Sequence, residues 1–174
     1  MALHNFTWVI PGKLAGSALP GGLPGAADEY VLSDLRDLYR EGVRCLLSLQ
    51  RMPQSFGELC GRVGLEWIHY PIEDFGTPRD LTGYEAMVDD VVGRMERGVP
   101  VCVHCRAGIG RTGMALACIV GSLFGVSGER AMRTVRKSRS AMDTGEQIAF
   151  VRDFCRHKAR MAGAGEPDTD RSAG

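Results

Sequence analysis

Apolar positions recur along the chain in two alternating periods, and their order predicts an α/β fold. Phe6 to Ile10 reads as an opening strand, followed by a Pro/Gly loop over 18–25. Val31, Leu35, Leu38 and Tyr39 fall at helical spacing and predict an amphipathic helix that Gly42 ends. Val43 to Leu49 reads as a buried strand, and Phe56, Leu59 and Val63 mark a short helix. Leu65, Trp67, His69 and Pro71 alternate along a strand over Leu65 to Ile72. Helical spacing returns at Tyr84, Met87, Val88, Val91, Val92 and Met95, then a strand over 99–104. Three more helices follow, the first running from Met114 to Phe124 and the last to about Met161. The apolar stripes read as core, and the alternation predicts a central, mainly parallel sheet flanked by helices. AGAGEPDTDRSAG has no apolar period, so residues 162–174 are expected to be a disordered tail behind one domain over 1–161.

Composition narrows this little. A chain of 174 residues, 44% hydrophobic, suffices for one sizeable core. The 21 basic and 21 acidic residues cancel, which argues against a nucleic-acid partner. Arg130, Arg133, Arg136, Lys137 and Arg139 form a local basic run, read as a solvated helix face or as a patch that steers an anionic substrate. Arg79 and Arg106 flank the presumed site. The N-terminus lacks the marks of a signal peptide, and Met114 to Phe124 is too short to span a bilayer. Six cysteines without framework spacing suggest reduced thiols and a cytoplasmic location.

The chemistry concentrates in VCVHCRAGIGRTG at 101–113. An apolar strand runs into Cys105, then a glycine-containing turn, then an apolar helix, so Cys105 is expected at a helix N-terminus. Unpaired amides and the helix dipole there favour an anion, whether thiolate or phosphate. The cradle would be built by Arg106, Ala107, Gly108, Ile109, Gly110 and Arg111. The planar fork of Arg111 can grip two phosphoryl oxygens, and the Thr112 hydroxyl can support the sulfur as it leaves. A redox pair or half a zinc site at Cys102 and Cys105 is the competing reading. The glycine loop after the second cysteine and the scatter of the other four argue against both. Cys102 reads as a small buried hydrophobe, with a minor alternative that it traps oxidised Cys105 as a disulfide.

Phosphoryl transfer to water also needs a general acid on a separate loop. PIEDFGTP supplies Glu73 and Asp74 at a strand end, the edge where open α/β sheets collect ligands. A plain solvated turn is the bland reading of that pair. His104 reads as structural support for the loop before a general base. TGEQ at 144–147 reads as a capping box with Thr144 as N-cap and Gln147 at N3.

HCRAGIGRTG resembles the HC-x5-R-[ST] signature of the cysteine-dependent protein tyrosine and dual-specificity phosphatases. NFTWVIPGKLAGSALP at 5–20 and PIEDFGTP at 71–78 are similar to the small atypical, VHZ-like dual-specificity members, and the likeness covers about residues 5–158. The resemblance implies the protein tyrosine phosphatase-like fold and a cysteinyl-phosphate mechanism with no metal or other cofactor. It implies Asp74 as the acid, with Glu73 as the fallback, and a water-orienting role for Gln147 beside its capping role. The expected partner is a phosphorylated protein or peptide, foremost phosphotyrosine with broader dual activity. Phosphoinositides, inositol phosphates and RNA 5′-phosphates are the alternatives the same loop accommodates. A phosphate-binding module without turnover, and sulfur or arsenate chemistry on a similar loop, are weaker readings, because Cys105 and Asp74 are both in place.

Overall fold

The structure is a computed structural model that describes residues 3–163. Its strands are β1 (Thr7–Ile10), β2 (Leu14–Ser17), β3 (Cys45–Ser48), β4 (Glu66–His69) and β5 (Val101–His104). Its helices are α1 (Asp28–Arg40), α2 (Gln54–Val63), α3 (Leu81–Glu96), α4 (Gly110–Phe124), α5 (Gly128–Arg136) and α6 (Gly145–Met161). The strands form one sheet in the order β1-β2-β5-β3-β4, parallel throughout except for the β1–β2 hairpin. This is the mainly parallel, helix-flanked fold the sequence predicts.

β2, β3 and β5 are buried at every position, which is why they read as continuous apolar or small-residue runs. Side chains alternate across β5: Val101 and Val103 join the core under α3, α4 and α6, while Cys102 joins the core under α1 and α2. α4 is buried from Gly110 to Gly121 and forms the spine of the larger core.

The differences from expectation are local. β2 was not predicted, because LAGS carries only one large apolar residue and neither period. β4 covers only four residues and is half-exposed, as an edge strand should be. Cys105 directly follows β5, and α4 begins at Gly110, so a short loop separates the sulfur from the helix. Cys102 and Cys105 contribute to opposite cores, and the Cys102 thiol donates to Ser17 Oγ at 3.5 Å. A disulfide between them would require unpairing β5, which removes the proposed trap. Of the expected tail, Ala162 and Gly163 close α6, and 164–174 lie outside the described residues. Among the described residues no helix is long and apolar enough to cross a membrane.

Candidate active site

The loop from Cys105 to Ile109 turns its carbonyls outward. Arg106 O accepts from Leu19 N–H at 3.0 Å, and Ile109 O accepts from Gly113 and Met142 N–H at 2.9 and 3.1 Å. Ala107 O and Gly108 O accept from Asn5 Nδ2 at 3.0 and 3.4 Å. With the carbonyls engaged outside, the amides face the concave side, where the first turn of α4 adds its own unpaired N–H groups. Gly108 has φ +74, and a Cβ there would run into the Ser17 backbone carbonyl. Gly108→Ala should therefore cost about 2–4 kcal/mol through left-handed strain and overpacking. A melting temperature unchanged from wild type would contradict that geometry.

His104 is fully buried and bonds back to the Cys105 carbonyl. Its Nδ1 is 3.0 Å from Cys105 O, which can only accept, so Nδ1 carries the proton. Nε2 must then accept from the Ser48 hydroxyl at 2.6 Å, and Ser48 Oγ accepts from Trp67 Nε1–H at 2.9 Å. Burial, outweighing the bond to Cys105 O and aided by the Arg111 charge, pushes the imidazole down to about 4. A neutral ring bonded at both nitrogens leaves no lone pair for base catalysis. Thr112 Oγ1 is buried and has no hydrogen-bond partner among the described residues.

Arg111 is only 4% exposed and reaches from α4 to the loop after β4. It donates to Ile72 O at 2.9 Å and Gln50 Oε1 at 3.0 Å, and pairs with Asp74 Oδ1 at 2.9 Å. The two loops predicted to share one sheet edge are thus joined by an ion pair. Asp74, Cys105, Arg106, Gly110, Arg111 and Asp143 line a pocket of about 360 Å³, together with Phe75, Ala107 and Ile109. Glu73 lines neighbouring pockets and not this one. Phe75 is exposed and has φ +58, held where Asp74 Oδ1 accepts from its N–H at 3.1 Å.

The capping box is present: Gln147 N–H donates to Thr144 Oγ1, and Gln147 Oε1 accepts from the Thr144 and Asp143 N–H groups. Its Nε2 donates to Gly76 O at 3.3 Å, tying α6 to the loop that carries Asp74. Gln147 is fully buried behind Gly110, and Asp143 is the side chain before α6 that reaches the pocket. Sequence reasoning missed three contributors: Gln50, Asn5 and Arg139. Arg130, Arg133, Arg136 and Lys137 are exposed, as a solvated face should be. Arg139 is 6% exposed and donates to Gly108 O at 2.6 Å, so it belongs to the loop and not to that face. Among the described residues no three His, Cys, Asp or Glu side chains converge as a metal ion would require.

A family model described as the DSP-PTPase phosphatase domain of the Swiss Army Knife proteins matches residues 3–167. The tyrosine-protein phosphatase cdc-14 of Caenorhabditis elegans is 26% identical over 164 residues, covering 87% of this chain and 22% of that protein. The chain spans no more than half the length of the first curated relatives it matches. Among solved structures, kinase associated phosphatase with its catalytic-site cysteine changed to serine superposes with a TM-score of 0.76 at 22% identity, over 91% of this chain and 97% of that one. PTPMT1 in complex with PI(5)P superposes with a TM-score of 0.74 at 19% identity, over 90% and 98%. At such identities these two structures speak for the fold alone.

Proposed function

The chain belongs to the DSP-PTPase phosphatase domain family, within the dual-specificity branch of the cysteine-dependent protein tyrosine phosphatases, and from that premise we propose that it is a metal-independent phosphomonoester hydrolase. Residues 1–161 form its catalytic domain, phosphorylated proteins or peptides are its substrates, and phosphotyrosine is preferred within a broader dual specificity. The observation that carries this reading is the meeting of Cys105, Arg111 and Asp74 in one pocket, each from the loop its chemistry requires. Six unpaired cysteines support a reducing, cytoplasmic setting.

A phosphate dianion docks on the loop amides of Arg106 to Gly110 and draws the Arg111 fork onto two of its oxygens, releasing Asp74 from the ion pair so that it takes up a proton from solvent before the chemical step. The Cys105 thiolate attacks phosphorus in line, the bond to the ester oxygen breaks, and Asp74 gives that oxygen its proton. Water then attacks the cysteinyl phosphate, Asp74 takes the proton, and the S–P bond breaks to return the thiolate, supported by Thr112. Gln147 contributes by holding the acid loop through Gly76 and fixing where Asp143 enters the pocket.

A phosphoinositide reading has its own support. Arg51, Arg106 and Arg111 line a second pocket of about 190 Å³, against the carboxylates of Glu73 and Asp74, with room for a further phosphate. The test is hydrolysis of phosphotyrosyl peptide, phosphothreonyl peptide and phosphoinositide by freshly reduced protein in EDTA, with and without vanadate. Vanadate-sensitive turnover highest on the phosphotyrosyl peptide is expected. Preference for the lipid overturns the substrate choice, and no turnover on any of the three overturns the enzyme reading.

A further inference from the structure

Arg139, just beyond α5, is a buried cation that the proposed mechanism does not use. Its NH2 donates to Gly108 O at 2.6 Å and Asn5 O at 3.0 Å, and its NH1 to Thr7 Oγ1 at 3.0 Å. All three acceptors are neutral, and among the described residues the buried Nε has no partner and no carboxylate pairs with the guanidinium. The fold makes room for it, since a Cβ at Gly16 would run into its guanidinium. A guanidinium stays charged at any pH a protein meets, and a buried charge without a counter-ion is costly.

An anion held on the pocket side of the loop that Arg139 bonds would answer this charge. Arg139 bonds the loop that frames the Cys105 pocket, at Gly108, and interacts electrostatically with the thiols of Cys102 and Cys105. Burial pushes Cys102 up to about 12, so it stays neutral. Cys105 remains, together with whatever anion the loop holds. The other charges at that pocket are Asp74, Arg106, Arg111 and Asp143, and of the two cations Arg111 is already answered by Asp74.

We propose that Arg139 is a positioning residue beneath the phosphate loop, which pins the Gly108 carbonyl outward so that the amides face the pocket and whose charge favours the Cys105 thiolate and a docked phosphoryl group. The phosphoryl half rests on the phosphatase reading, and the thiolate half does not.

The experiment is alkylation of Cys105 by iodoacetamide as a function of pH, read by mass spectrometry, with vanadate affinity measured alongside. Arg139→Gln keeps a donor for Gly108 and drops the charge. Arg139→Lys keeps the charge. Asn5→Ala loosens the loop carbonyls and leaves the charge. The alkylation midpoint should rise by about one pH unit in Arg139→Gln and stay within about 0.3 unit of wild type in the other two. Vanadate affinity should fall about tenfold in Arg139→Gln and recover in Arg139→Lys. A wild-type midpoint in a folded Arg139→Gln protein overturns the proposal and leaves Arg139 as a strut. Should that variant not fold, a rise of a full unit in Arg139→Lys, or in Asn5→Ala, overturns it equally. Because alkylation needs no turnover, a shifted midpoint in a protein inactive on every phosphoester upholds the role of Arg139 while refuting the phosphatase reading.

Discussion

Cys105→Ser should hydrolyse phosphomonoesters at least about 10⁴-fold more slowly than wild type while keeping its fold and its affinity for the phosphoryl group. Oxygen for sulfur is a small change at a site 3% exposed, and neither the outward carbonyls nor Arg111 bonds to the sulfur. The chemistry is different, because a serine hydroxyl ionises far less readily than a thiol and needs a base to remove its proton. His104 is held neutral with both nitrogens engaged, and Asp74 is needed on the leaving-group side in the first step. The variant should therefore capture phosphotyrosyl peptide without consuming it, as isothermal calorimetry beside a turnover assay would show. Activity within tenfold of wild type would rule out the cysteinyl-phosphate route. Loss of binding together with activity would instead mean that the sulfur shapes the loop.

How much of this was legible in the sequence follows from how far apart the interacting residues lie. The cradle lies in one stretch from Cys105 to Thr112, so residue type and spacing expose it directly. The place of Asp74 beside that cradle was readable because the strand before it ends at the same sheet edge as β5, a consequence of parallel pairing through β3. What escaped rests on contacts with no local signal. Arg139 sits in a basic run indistinguishable by period from a solvated face. Its acceptors Thr7, Asn5 and Gly108 lie 132, 134 and 31 residues away. Missing Arg139 and missing β2 share a cause. Gly16 lies on β2 opposite Val103 and has no side chain because Arg139 fills that space, and the glycine then reads as loop. TGEQ shows the opposite case: the capping box is a local motif and forms as read, whereas its link to the acid loop through Gly76 is long-range and could not be foreseen.

Asp74→Asn should lower kcat for phenyl and alkyl phosphates by about 10²–10⁴-fold, the usual worth of a positioned general acid. The substitution is nearly isosteric. Asn Oδ1 can still accept from Arg111 and from the Phe75 N–H, and an ion pair whose carboxylate is 54% exposed contributes at most about 1 kcal/mol to stability. A stability effect and a catalytic effect therefore separate cleanly. The decisive variable is the leaving group. An activated ester whose phenol leaves readily as the anion needs no proton, so the variant should approach the wild-type rate on it in the first step, whereas a poor leaving group exposes the full deficit. Glu73→Gln is the control: Glu73 does not line the Cys105 pocket, and its loss should leave both rates within about threefold. A deficit independent of leaving group would assign Asp74 to loop positioning through Arg111, since removing a clamp slows every substrate alike. An unchanged rate on the poor leaving group would take Asp74 out of the mechanism and leave Asp143, the other carboxylate at the pocket, as the acid to test.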